Sequence, residues 1–492
     1  MNMRFIVGNP NAYSGGDAIV LLPNTGWNDY SFVTTFYAYL VRRNVSVRLG
    51  EVKIGFVQQD PSVATYRELE PSFTALGERY FSLGQNPEYY ENVRKQLRGQ
   101  QDEFFVAMRD VAYNERVVPQ VYEQRVFIES LSRFVSESSI KGHFKDIINA
   151  GVQSRDYGFV YHHDQQASLK FSVSSQSKPP SNVHALIGRN GVGKSHVLKR
   201  IARSIDKSDG VVTGMNGRDV TSSDFGLLLY FSLGIFGNPL GFAEFGDDRL
   251  KQGKTKKRYI GIYKEDGSLK RVAEEMGEEL SESIAICVLG SDVKKKKWFS
   301  AVSRLQVGVD FGDLDVAALV DIENKDELIR RAMEMFSVLS SGHATILFYI
   351  TKVVELVEDK TICLFDEPEN HLHPPLLAGF IRVLSEFLSE SNGIAILATH
   401  SPVVLQEIPR GCVWRIDGVG QFMRPHIETF GESVGEITMD VFDLQRRHSG
   451  FYALLKQDAQ EIGDYDGVMN IYKGQVGSEG RSVVLSSLPR GR

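Results

Sequence analysis

The chain has 492 residues, 42% of them hydrophobic and 24% charged, with a formal net charge of −6. The length predicts two or three domains and the composition is that of a globular protein. The charge balance excludes a polycation, so any nucleic-acid binding has to come from local basic faces.

Cys287, Cys363 and Cys412 form no C-x-x-C pair, which excludes a cysteine zinc site on spacing and predicts a reducing compartment. The N-terminus Met1-Asn2-Met3-Arg4-Phe5 lacks a signal-peptide core. The most apolar run, Phe225 to Phe236, falls short of the ~20 residues a spanning helix requires. The expectation is a cytoplasmic protein without a membrane partner.

Residues 1–140 read as a separate N-terminal α+β domain, a candidate sensor or docking module. Met3–Val7, Ala18–Leu22, Val45–Leu49 and Lys53–Gln58 predict strands, with a turn at Pro23-Asn24-Thr25-Gly26. From about Pro71 the spacing of Phe73, Leu76 and Tyr80, then Tyr89, Tyr90, Val93 and Leu97, predicts helices. The aromatic density is assigned to core packing over a recognition face. Nothing here has the spacing of a nucleophile, base or metal-ligand set.

Residues 150–440 read as an α/β nucleotide-binding head. Tyr157–Tyr161 and Ser168–Val173 predict a strand pair, and Ser174–Ser181 a linker. Val183-His184-Ala185-Leu186-Ile187 then predicts a buried strand. It leads into Gly188-Arg189-Asn190-Gly191-Val192-Gly193-Lys194-Ser195, which fits the phosphate-loop pattern G-x-x-x-x-G-K-[ST]. Helical spacing follows from His196. The glycines let successive N–H groups face one anion, at the positive end of a helix. Lys194 is expected to reach the β and γ phosphates of ATP, and the Ser195 hydroxyl to ligate Mg²⁺.

Residues 205–335 are expected to form an inserted lid or helical segment, with strands at Leu227–Phe231 and Tyr259–Tyr263 and helices from about Val272. No heptad repeat is sustained, so a long coiled-coil arm is excluded. Two basic clusters, Lys254–Arg258 and Lys294–Lys297, stand out. Such runs are usually solvated surface. The alternative is contact with a DNA backbone, with Trp298 stacking on an unpaired base.

Leu339-Ser340-Ser341-Gly342-His343 opens a helix. Thr361–Glu367 is an apolar strand ending in two carboxylates: Asp366 fits an Mg²⁺ ligand opposite Ser195, and Glu367 the general base acting on water. Ile394–Thr399 is a further buried strand, ending at His400, which is placed to contact the γ-phosphate.

In this order the four motifs resemble the ATP-binding-cassette (ABC) ATPases. Asp366-Glu367-Pro368-Glu369-Asn370-His371-Leu372-His373-Pro374 and Thr399-His400-Ser401-Pro402 are similar to the SMC and RecF clan. More narrowly, the chain resembles ATPase subunits of bacterial anti-phage systems, especially the Septu ATPase, and more loosely the overcoming-lysogenization-defect nucleases. The resemblance implies a homodimer with composite sites, in which Leu339, Ser340, Ser341, Gly342 and His343 of one copy meet the nucleotide held by Gly188–His196 of the other. It also implies a separately encoded effector, a nuclease. His343 stands where the family has glutamine, and Ser232 and Asn238 are both open as substitutes for its Q-loop glutamine. A RecF-like DNA-repair ATPase, and a module that holds ATP as structural glue, remain as other readings. Residues 441–492 read as a helical docking segment, and Asp464-Tyr465-Asp466 lacks the strand a Toprim nuclease motif requires.

Overall fold

The computed structural model describes residues 3–488 apart from 44, 136, 138, 151–155, 165–166, 175–176, 206, 208, 222–223, 235–254, 265, 309–314 and 447–449. Its first sheet comprises β1 (Phe5–Val7), β2 (Ala18–Pro23), β3 (Thr35–Arg42), β4 (Val45–Phe56), β5 (Ser72–Phe73) and β6 (Tyr80–Gly84), in the order β5-β1-β2-β3-β4-β6. The two strands expected at 45–58 are one continuous strand, β4. The helix expected from Pro71 begins only at Pro87, where Asn86 accepts a hydrogen bond from the Tyr89 amide. Phe73 and Tyr80 lie on strands instead. Every residue of β6 is buried, and that packing overrides the helical spacing of its aromatic residues. Phe5, Phe36, Phe81, Tyr89, Tyr90 and Phe104 form the core of this unit, as expected of its aromatic density.

Three antiparallel strands, β7 (Tyr157–His162), β8 (Ser168–Val173) and β10 (Val212–Gly214), form a small second sheet. The main sheet has seven strands: β9 (Val183–Gly188), β11 (Leu227–Ser232), β12 (Lys256–Gly261), β13 (Thr361–Asp366), β14 (Ile394–Thr399), β15 (Val413–Gly418) and β16 (Gln421–Met423). Their order is β12-β11-β13-β14-β9-β15-β16, parallel except for β16. Its central strands are unbroken apolar runs because both faces are covered. Ala185, Ile187, Leu229, Phe231, Cys363, Phe365 and Leu397 face a helical layer. The alternate residues Leu186, Leu228, Tyr230, Leu364 and Ile396 face the small sheet and the helix Lys194–Ser204. This period of two is what a strand dictates.

Within residues 205–335, β11 and β12 belong to the main sheet. The helices Gly277–Leu289, Asp292–Gly308 and Lys325–Val338 pack with Ser341–Leu356 as the layer beside it. The N-terminal unit meets that layer through Arg48 to Asp292 (2.8 Å) and Ser291 to Glu51 (2.7 Å). The helices after Val434 carry a small core of their own, built on Leu455, Ala459, Val468 and Val484. Phe451 and Leu454 on these helices are about half exposed. No helix among the described residues is long and apolar enough to cross a membrane.

Candidate nucleotide site

β9 is buried along its whole length and delivers the phosphate loop at its C-terminal end. Gly188 is fixed by a close approach: a Cβ there would lie 2.3 Å from the Ile416 carbonyl oxygen of β15. Gly191 and Gly193 have φ of +82° and +101°, so the loop curls back on itself in a conformation side chains disfavour. Arg189, Asn190 and Gly191 form an exposed lip, with Val192 and Gly193 half-buried behind it and His196 exposed on the following helix. Lys194 folds into the loop, and its Nζ donates to the carbonyls of Gly188 and Arg189, each at 2.9 Å. Burial lowers its pKa, while the nearby carboxylates of Glu367, Glu369 and Asp366 oppose that shift.

The neighbouring strand ends complete the site. β14 lies between β9 and β13, with Thr399 paired to Ile187 and Ala398 to Asp366, and Ser232 of β11 is paired to Asp366 from the other side. Gly188, His400, Asp366 and Ser232 therefore emerge in one row along the C-terminal edge, where open α/β sheets bind ligands. The Ser195 hydroxyl donates to Asp366 Oδ1 at 2.6 Å and the Tyr230 hydroxyl to Oδ2 at 3.0 Å. Burial raises the Asp366 pKa and these two donors pull it back. Ser195 and Asp366 are hard oxygen donors side by side, which fits Mg²⁺, an ion that completes its shell with substrate phosphates and water. Among the described residues no cluster of three or more His, Cys, Asp or Glu side chains provides a complete cage.

Glu367 takes a left-handed backbone (φ +51°), and its amide extends the ladder to the Ala398 carbonyl at 2.8 Å. That turn separates its carboxylate from Asp366. His400 follows β14, its side chain 45% exposed, with Nδ1 3.0 Å from Glu369 Oε1. The sequence assigned no role to Tyr230 or Glu369, although Glu369 stands within the Asp366–Pro374 motif. Tyr230 is the one residue of the Leu227–Phe231 run with a polar tip, which is the only hint available.

The Leu339–His343 turn sits elsewhere. Ser340 and Ser341 are exposed, and Ser340 caps the helix Ser341–Leu356, its hydroxyl accepting from the His343 amide at 3.3 Å and lying 3.0 Å from His343 Nδ1. Gly342 is buried against the acidic segment, and a Cβ there would come within 2.7 Å of the His371 carbonyl oxygen. The segment from Asp366 to His373 thus touches the phosphate loop at one end and supports this turn at the other.

The basic clusters are not part of this row. Lys254 lies outside the described residues, as does Asn238. Lys256 begins β12, and Lys257 Nζ donates to the Ile205 carbonyl at 3.0 Å. Trp298 cannot stack on a base, which was the alternative to a solvated surface there. It is fully buried, and its indole N–H donates to Thr351 Oγ1 at 2.9 Å. The Lys294 ammonium is turned inward, 2.6 Å from the Glu355 carbonyl and 3.6 Å from the Phe134 ring centroid. Lys297 pairs with Glu390 at 2.8 Å.

Phosphate loop, acidic strand end and histidine strand end lie side by side in an α/β head of P-loop type. A protein-family profile described as "AAA domain, putative AbiEii toxin, Type IV TA system" matches residues 291–406. Protein ea59 of Escherichia phage lambda is 34% identical over 499 aligned positions, spanning 94% of this chain and 93% of ea59. Among solved structures, an ATP-binding cassette of an ABC transporter in its ADP conformation is 15% identical, covering 59% of this chain and 96% of the cassette, with a TM-score of 0.30. A nucleotide-free cassette from an ABC transporter is 15% identical, covering 60% and 98%, with a TM-score of 0.29.

Proposed function

This chain belongs to the family of protein ea59 of Escherichia phage lambda, and we propose that it is an ATP-hydrolysing switch working as a homodimer. The observation that carries the reading is the Ser195–Asp366 pair at 2.6 Å, flanked at adjacent strand ends by Glu367 and His400. The backbone of Gly188–Ser195 and the Lys194 ammonium hold the phosphates of ATP. Mg²⁺, held by Ser195 and Asp366, supplies charge neutralisation on those phosphates when bound. Glu367 orients the attacking water and accepts its proton, and His400 contacts the γ-phosphate.

The exposed Ser340 turn reaches the nucleotide of a second copy, so each site borrows a helix N-terminus from its partner. The ATP-bound pair gates a separately encoded effector, a nuclease, in defence against phage of the Septu kind. Exposed Phe451, Leu454, Ile471 and Leu485 on the C-terminal helices offer it an apolar docking face. Asp464 has a local task there, capping its helix by accepting from the Gly467 amide at 2.7 Å. DNA contact through Lys256, Lys257 and Arg258, or through Lys295 and Lys296, remains part of this proposal. Turnover and nucleotide binding measured on Glu367→Gln test it: ATP should stay bound while turnover falls by roughly 10²–10⁴-fold. Wild-type turnover in that variant would remove Glu367 from the chemistry.

A further inference from the structure

His400 is held by an acid that the sequence motifs leave without a task. Glu369 Oε1 accepts two hydrogen bonds from one stretch of chain, from Thr399 Oγ1 at 2.7 Å and from the His400 amide at 2.7 Å, and the His400 ring stands beside the same oxygen, its Nδ1 3.0 Å away. The carboxylate side chain is only 7% exposed, against 45% for the imidazole it grips. Its other oxygen, Oε2, is buried and takes no hydrogen bond. A buried carboxylate with one oxygen crowded and the other unmatched is costly for stability alone. It is what a site uses to impose an orientation on a neighbour.

We propose that Glu369 is a positioning residue for His400: it pins the turn after β14 and engages Nδ1, so that Nε2 is the ring atom presented to the γ-phosphate. The inference rests on the reading of this edge as the ATP site. With the ring proton on Nδ1, beside the carboxylate, the neutral ring keeps its lone pair on Nε2, and the charged ring offers Nε2–H to a phosphate oxygen. Either way the ring cannot swing without losing the contact at Nδ1. Thr399, whose hydroxyl shares the same acceptor, fixes the backbone on which the ring is mounted. Glu369 lies two residues beyond Glu367, so the water-orienting group and the anchor of the His400 ring are built from a single turn.

The test is a double-mutant cycle on the full-length chain, reading kcat for ATP and, separately, Kd for ATP and ADP. Glu369→Ala and His400→Ala should each lower kcat by about 10–100-fold, the usual cost of losing an orienting partner. ADP affinity should hold, because the ring addresses only the γ-phosphate. The double variant should be no slower than His400→Ala alone, since Glu369 has nothing left to position. Glu369→Gln, which keeps an oxygen acceptor, should recover most of the loss and serves as the check if Glu369→Ala folds poorly. Two full losses that multiply in the double variant would overturn the proposal, as would a Glu369→Gln enzyme as slow as Glu369→Ala. Lys194→Ala run in parallel separates the two layers. If it binds ATP normally the site reading itself fails, and if it loses ATP while the cycle is additive only the role of Glu369 fails.

Discussion

Adding one methyl group at Gly342 should uncouple the Ser340 turn from the acidic segment beneath it. An alanine Cβ there would stand 2.7 Å from the His371 carbonyl oxygen, well inside the 3.4 Å at which ordinary contact begins. The blocking atom is backbone, and His371 is itself held at φ +69°, so no side-chain rotation relieves the overlap. Two terms compete. Alanine is favoured over glycine in a helix by about 1 kcal/mol, while forcing an extra methyl into a packed contact costs about 1–3 kcal/mol. With a rigid neighbour the second term lies at the upper end of its range, and Gly342→Ala should lose up to about 2 kcal/mol. It should also turn over ATP more slowly, because the displaced segment carries Glu367 and Glu369. Nucleotide binding to a single head should survive, since the phosphate loop is not touched. Denaturant melts and steady-state ATPase assays read both effects. Gly411→Ala is the control, as a Cβ there meets nothing within 4 Å. Wild-type stability and turnover in Gly342→Ala would show that this close approach constrains nothing.

Lys194→Ala should abolish ATP binding in a calorimetric titration, because the ammonium now seated on the Gly188 and Arg189 carbonyls is the cation the loop turns inward, Arg189 itself being exposed on its lip. Unchanged affinity would remove the loop from the site. Lys294 predicts a pH effect: burial lowers its pKa from 10.5 to about 8 in the folded chain. Between those values the unfolded chain binds a proton that the folded chain has lost, so unfolding free energy rises with pH in that window. In urea melts the wild type should gain on Lys294→Met from about pH 8 upward. A gap between the two that does not change with pH would place the ammonium in water.

Much of the head was legible because its strands are buried on both faces. Such strands read as uninterrupted apolar runs, and three of them, β9, β13 and β14, lead directly into the residues proposed for the site. The phosphate loop, Asp366, Glu367 and His400 were visible for that reason. What stayed hidden is what depends on partners distant in the chain. Glu369 finds Thr399 and His400 some 30 residues later, and no local spacing announces it. Tyr230 looks like one more apolar strand residue until β11 is laid beside β13. Around Tyr80 the aromatic spacing mimics a helix, and only pairing with β4 decides for a strand. Helices were expected from about Val272, but the lysine run before Trp298 concealed the buried face Trp298, Ala301, Val302 and Leu305, a three-to-four spacing that argued for core all along.

The central claim is that each ATP site is shared between two copies, and mixing two inactive variants tests it most directly. Glu367→Gln removes the base from its own site, and Ser340→Arg places a bulky charge on the turn lent to the partner. Each homodimer should bind ATP and turn over negligibly. In a mixed dimer one site collects both lesions and the other neither, so ATPase activity should reappear, rising and falling with mixing ratio under conditions where subunits exchange. A rate that stays at zero, with exchange demonstrated by an independent label, would contradict the shared site.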